Sequence, residues 1–267
     1  MKNSLKTAII QSDLVWENSK QNRINFSHKI DAISSDVDLI VLQEMFSTGY
    51  TLNACAVAET MTGDTVKWML EKAKKKEALL IGSIIIEELS SDKTNNKNYF
   101  NRLIIAFPNG KIQYYDKRHL FSYAQEHKVF TSGKNRTIIT YKSWKLLPLI
   151  CYDLRFPVWA RNTNDFDAII YIANWPNTRI SAWDTLLKAR AIENLCYVIG
   201  VNRLGKDQNN LEYIGHSAII DAMGKTVLEF DENQEAIKTF VLDKKHITDS
   251  RNKFGFLKDR DQFKIID

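Results

Sequence analysis

The chain has few cysteines, no long apolar run and no concentration of charge, and each shortage removes a class of protein. Its 267 residues include three cysteines, Cys55, Cys151 and Cys196, widely spaced and without a CxxC pair. That spacing argues against a disulfide framework and a structural zinc site, and fits a reducing compartment. The histidines His28, His119, His127, His216 and His246 form no HxH or HxxxH pair, so neither a metal nor a cofactor is expected. No apolar run of about 18 residues is present, and MKNSLKTAIIQSDLVW lacks the apolar stretch and small residues of a signal peptide. A soluble, cytoplasmic protein with no membrane partner is expected. The net charge of +5 is scattered, and Lys74, Lys75 and Lys76 read as a solvated helix face, so nucleic acid is not an expected partner.

Strand-length apolar runs recur instead: LKTAIIQ, DLIVLQE, LLIGSIII, RLIIAF, KIQYYD, RTIITY, LLPLIC, AIIYIA, CYVIGV and SAIIDA. Helical patterns lie between several of them. Residues 18 to 34 are expected to set Ile24, Ile30 and Ile33 on one face; a second helix, over 64 to 76, follows Gly63 or Asp64 as cap, and SAWDTLLKARAIEN begins with a serine cap. The segment from 99 to 141 reads as nearly all strand. PNGK (108 to 111) and MGK (223 to 225) read as hairpin turns, and the polar stretch 90 to 98 as an exposed loop. With no repeat or low-complexity block, the expectation is one α/β domain over 1–267 with a mixed sheet content. The stretch from about 247 to 267, carrying Phe254, Phe256 and Phe263, is expected to pack on a neighbouring subunit.

Three runs end in a reactive group: DLIVLQE at Glu44, KIQYYDK at Lys117 and LLPLIC at Cys151. A thiol of ordinary pKa about 8.5 needs a base near neutrality. Glu44, desolvated at a strand end, is expected to have its pKa raised and to serve as that base, and Lys117 to support the thiolate and an oxyanion. Each residue alone has a plainer explanation: a buried cysteine, a surface salt bridge, a solvated strand end. Cys196 reads as a buried hydrophobe, and Cys55 has no assigned role.

The flanking segments change that weighing. LIVLQEMFSTGY, YYDKRHLF and CYDLRFPVWA resemble, in order, the signature regions of the nitrilase superfamily of carbon-nitrogen hydrolases, and the resemblance runs from AIIQSDLVWENSKQN to GHSAIIDAMGK. Within it, MFSTGY, FSYAQEHKVF, CYDLRFPVWARN and ANWP look most like the bacterial omega-amidases, which release ammonia from short 2-oxo-dicarboxylic acid monoamides. The resemblance implies a four-layer αββα sandwich of two mixed sheets flanked by helices, with Glu44 as general base, Lys117 as the stabilising cation and Cys151 as nucleophile. Glu126 matches a second glutamate beside the catalytic lysine. The oxyanion would be held by Lys117 and the Tyr152 N–H, and the substrate carboxylate by Arg155, with Phe46, Tyr50, Asn174 and Trp175 as further pocket residues. A small amide and water would be the only other reactants, and a homodimer or higher homo-oligomer is implied. Hydrolysis of an N-carbamoyl compound or a nitrile would use the same three residues. A cysteine–histidine hydrolase using His119 or His127, and an inactive binding protein of the same fold, are the remaining alternatives.

Overall fold

The computed structural model describes residues 3–90 and 96–266, so five residues of the stretch expected to be an exposed loop, 91–95, lie outside the described residues. Apolar alternation builds the frame. In strand β1 (Ser4–Gln11), Leu5 and Ile9 face one core while Ala8 and Ile10 face another. The same division runs through β2 (Leu39–Val41), β3 (Leu79–Leu89) and β4 (Lys97–Ala106): Val41, Ile81 and Ile105 point to the first core, and Ile40, Leu80 and Ile104 to the second. A period-2 pattern that is apolar on both faces is what a sheet covered on both sides requires.

The first sheet is completed by β5 (Ile112–Asp116) and by the distant β14 (Ala236–Asp243), in the order β14-β1-β2-β3-β4-β5. The second contains β6 (Ile139–Tyr141), β7 (Trp144–Ile150), β8 (Ala168–Ala173), β9 (Tyr197–Asn202), β12 (Ala218–Ile220) and β13 (Thr226–Glu229), in the order β13-β12-β9-β8-β7-β6. Between β9 and β12 lies a separate hairpin, β10 (Leu204–Lys206) and β11 (Glu212–Ile214). The inward faces of the two sheets share one core, joining Leu5, Ile9 and Val41 to Leu147 and Leu149. Helices α1 (Ser19–Asp31) and α3 (Asp64–Lys76) cover the first sheet, while α5 (Ile180–Asn194) packs on β9 and β12 of the second. Short helices α2 (Ala54–Val57) and α4 (Pro157–Ala160) and the late helix α6 (Lys244–Phe254) complete the described α-helices. The layering is α-β-β-α, as expected, and both sheets are mixed.

Several local expectations need correction. Ile24 is 41% exposed, and the buried face of α1 is Asn22, Phe26 and Ile30, because residues four apart share a helix face whereas Ile24 and Ile30 lie about a third of a turn apart around the axis. Ser181 falls inside the first turn of α5; its N-cap is Arg179, with no side-chain cap bond. Gly63 is the N-cap of α3, and the Glu59 carboxylate accepts from the Thr65 N–H there at 2.7 Å. Strand structure in the 99 to 141 stretch is interrupted between Asp116 and Ile139: residues 117 to 138 form an irregular segment with two 3-10 turns, Ser122–Ala124 and Glu126–Lys128. The two hairpin turns join β4 to β5 and β12 to β13 as expected.

Candidate active site

Both β7 and β8 are parallel neighbours, so their C-terminal ends open at the same rim. β7 ends at Ile150, and Cys151 turns the chain at φ +43°, the left-handed region, into a 3-10 turn over Cys151–Arg155. A non-glycine residue there costs about 1 kcal/mol or more and needs a surrounding structure that enforces it. Asp153 supplies that enforcement. Its fully buried carboxylate accepts from the Ile150 N–H at 3.0 Å and the Tyr115 hydroxyl at 2.7 Å through Oδ2, and from the His119 N–H at 3.0 Å through Oδ1. His119 Nδ1 lies 2.7 Å from Oδ1 of the same carboxylate, and its ring stacks on Phe156 at 3.7 Å. One carboxylate therefore ties the cysteine turn to the chain just past Lys117.

Glu44 leaves the end of β2 and is fully buried. Its Oε1 accepts from Lys117 Nζ at 2.9 Å and Asn101 Nδ2 at 2.8 Å, and its Oε2 from the Asn174 N–H at 2.8 Å. Lys117 Nζ also reaches both oxygens of Glu126 at 3.0 Å, and Glu126 accepts from the Phe121 N–H at 2.6 Å. Two carboxylates thus share one ammonium in a water-poor site. Burial alone would push Glu44 up, but the Lys117 charge, the Lys117 bond and the donors Asn174 and Asn101 outweigh it and hold Glu44 below the ordinary carboxylate range. This reverses the raised value expected from its strand-end position; the donors were not visible in a run of apolar residues. Glu126 goes the other way, raised by burial against the pull of Lys117 and further by the Glu44 charge. Burial opposes protonation of Lys117, yet Glu126 and Glu44 together keep it an ammonium well beyond the ordinary lysine range. Cys151 is pushed well above an ordinary thiol, first by burial and then by the Glu44 charge. The resting cluster is an ionised carboxylate, an ammonium and a protonated thiol.

A pocket of about 500 Å³, counting its open mouth, lies over these groups, with Lys117, Cys151 and Asn174 in its wall. Tyr50, Tyr152, Arg155 and Trp175 line it. Asn174 is there too, but its N–H and Nδ2 are engaged by Glu44. Phe46 is a correction: it is buried between the first sheet and its helices, 5.5 Å from the Phe26 ring and 5.7 Å from Trp68, and does not line the pocket. Strand alternation would keep positions two apart on one side, but Met45, at φ +43°, turns the chain between Glu44 and Phe46 and sends the two side chains apart. No histidine lines the pocket, which removes the support for a cysteine–histidine pair. Cys196 is buried, as expected, and Cys55 is exposed. Sequence reasoning missed Asn101, whose only signal was a polar residue just before RLIIAF, and Arg179, Leu211 and Tyr213, which reach the pocket from a 3-10 turn, a loop and β11.

A thiol, an ammonium and two carboxylates gathered at the seam of an αββα sandwich define a class of enzymes that break carbon–nitrogen bonds. The family model described as "Carbon-nitrogen hydrolase" matches residues 6–252, and the chain belongs to that family. It is similar to the omega-amidase YafV of Escherichia coli (strain K12), 39% identical over 261 residues and covering 98% of both chains. It is also similar to the 2-oxoglutaramate amidase of Bacillus subtilis (strain 168), 31% identical over 87% of this chain and 88% of the other. Among solved structures, XC1258 from Xanthomonas campestris, a CN-hydrolase superfamily protein with an arsenic adduct in its active site, superposes with a TM-score of 0.93 at 37% identity, covering 99% of this chain and 100% of that one.

Proposed function

We propose that this chain is an omega-amidase: it releases ammonia from the terminal amide of short 2-oxo-dicarboxylic acid monoamides such as 2-oxoglutaramate and 2-oxosuccinamate. The observation that carries the reading is the Glu44–Lys117–Glu126 cluster beside Cys151, at the floor of a pocket whose wall also carries guanidinium groups. The names of its relatives support the substrate class. Cys151 attacks the amide carbonyl as its proton passes to the ionised Glu44. Lys117 and the Tyr152 N–H hold the oxyanion; as an opening amide of a 3-10 turn, that N–H has no partner within the turn. Glu44 then delivers the proton to the departing nitrogen, and ammonia leaves. Water, losing a proton to Glu44, attacks the thioester; that proton returns to the sulfur as the acid is released. Glu126 holds Lys117 between the two carboxylates, and Arg155, stacked on Trp175 at 5.0 Å, takes the substrate carboxylate.

Ammonia release from 2-oxoglutaramate, 2-oxosuccinamate, glutamine, asparagine, a carbamoyl β-amino acid and a nitrile tests the reading. The 2-oxo amides are expected to be the best substrates; a carbamoyl compound or nitrile turned over faster would replace it.

The same reading makes the enzyme a cytoplasmic homodimer. No helix among the described residues is long and apolar enough to cross a membrane. Phe254 and Phe256 stack at 5.2 Å and, with Phe263 beside Val158, leave 37%, 51% and 45% of their surfaces exposed, an apolar area suited to a second copy. Light scattering at micromolar concentration should give at least a dimer, and a monomer would remove this assignment.

A further inference from the structure

Arg179, which the sequence reading did not single out, stands in the pocket wall. It closes the 3-10 turn Asn177–Arg179 just before α5, where its carbonyl accepts from Trp175 Nε1 at 2.8 Å, fixing the turn to the pocket's aromatic wall. Its guanidinium lies over the Phe121 ring at 5.3 Å, as that of Arg155 lies over Trp175 at 5.0 Å. Neither guanidinium has a salt-bridge partner among the described residues. Stacking holds the plane of an arginine while leaving its edge N–H donors unspent. Among the described residues the wall contains no aspartate or glutamate. Carboxylates bonded to or adjoining wall residues have partners of their own: Glu44 and Glu126 bond Lys117, Asp207 the Tyr213 hydroxyl at 2.9 Å, and Glu212 the Asn177 Nδ2 at 3.3 Å.

We propose that Arg179 and Arg155 form a two-guanidinium subsite for the acid end of the substrate, and that Arg179 sets the preference for a 2-oxo over a 2-amino acid. This rests on the amide-hydrolase reading above. A 2-oxo acid offers only acceptors at that end: two carboxylate oxygens and the adjacent keto oxygen. Two forks of donors match them. A 2-amino acid such as glutamine brings an ammonium to the same place, where it meets two cations and no carboxylate. Discrimination then comes from repulsion as well as attraction.

The test is the ratio of kcat/KM for 2-oxoglutaramate to that for glutamine in the wild type, Arg179→Met and Arg179→Lys. Loss of one charge-assisted fork should cut the ratio by about 30-fold, chiefly through KM for the 2-oxo amide, with Arg179→Lys intermediate because it keeps the charge without the fork. A ratio unchanged in Arg179→Met overturns the proposal. A binding readout separates this from failure of the catalytic reading: protection of Cys151 against iodoacetamide by 2-oxoglutarate, with glutamate as the control. Protection by 2-oxoglutarate that disappears in Arg179→Met upholds the subsite even if the wild type hydrolyses none of the amides. Equal protection by glutamate, or protection that survives the substitution, overturns it. A melting curve matching the wild type shows that the variant is folded.

Discussion

The two sheets are drawn on one plan and end in different chemistry. Reading β14-β1-β2-β3-β4-β5 beside β6-β7-β8-β9-β12-β13, successive neighbours are antiparallel, parallel, parallel, antiparallel and antiparallel in both. The match extends to single bonds. Asp38, just before β2, accepts the Lys6 N–H at 2.8 Å and its carbonyl takes the Leu79 N–H. Asp167, just before β8, accepts the Lys145 N–H at 2.8 Å and its carbonyl takes the Tyr197 N–H. Gly82 and Gly200 stand at the same register, each three residues past the partner of the first residue of β2 or β8. Yet six residues after Lys6 stands Ser12, whose hydroxyl lies 2.6 Å from Glu235, and six after Lys145 stands Cys151. Where β2 gives way to Glu44, β8 gives way to Asn174, and the two are hydrogen-bonded across the seam. The frame is repeated; the strand exits are where the halves diverge. Groups that must meet come from opposite halves, which is why the site lies between the sheets rather than at the edge of one.

The sharpest way to break the comparison is at its two equivalent exits. Cys151→Ala should lower ammonia release by about 10⁴-fold or more, whereas Ser12→Ala should leave turnover within about threefold and cost about 1 kcal/mol of stability for its lost bond. Comparable losses in both variants would mean that the halves share the chemistry as well as the frame.

Glu44→Gln and Lys117→Met should each cost about 10²-fold or more in kcat. Their effects on the thiol should have opposite signs. The Glu44 charge raises the Cys151 pKa and the Lys117 charge lowers it, so the midpoint of iodoacetamide alkylation against pH should move down in Glu44→Gln and up in Lys117→Met. Shifts in one direction in both variants would remove the charge assignment of the cluster.

The smallest effect should be shared equally. A Cβ on Gly82 would meet Phe46 at 2.9 Å and Leu42 at 3.0 Å; on Gly200 it would meet Leu187 at 2.6 Å and Trp183 at 2.9 Å. Gly82→Ala and Gly200→Ala should each destabilise by about 1–3 kcal/mol in denaturant unfolding. A neutral result at one site only would show that the outer layers pack unlike each other.

This twofold plan was not visible in the sequence, because what repeats is strand direction and a few backbone bonds rather than residues. The strands themselves were visible, since sheets covered on both faces print apolar runs in the chain. β14 escaped, because the polar residues Lys238 and Thr239 break the run in AIKTFVLD. Segment 117 to 138 was misread because KRHLFSYAQEHKVF mixes aromatics with polar groups for a different reason: it folds over Lys117 and contributes Phe121 to the pocket. Glu44, Lys117, Glu126 and Cys151 were legible from their flanking motifs. Arg179 and the lowered pKa of Glu44 were not, since both depend on loops and donors brought in from far along the chain.

One pairing bears on the order in which this molecule can assemble. β14 covers the outer edge of β1 along its full length, from Ser4 opposite Asp243 to Gln11 opposite Ala236, and Gln11 Nε2 also bonds the carbonyl of Gln234, 223 positions along. A chain growing from its N-terminus at roughly 5–20 residues per second therefore spends on the order of tens of seconds with β1 made and β14 not. During that interval one edge of the first sheet has every other N–H and C=O open to pairing with another nascent chain. A strand made early is closed late, and the closing act belongs to residues outside the cluster around Cys151.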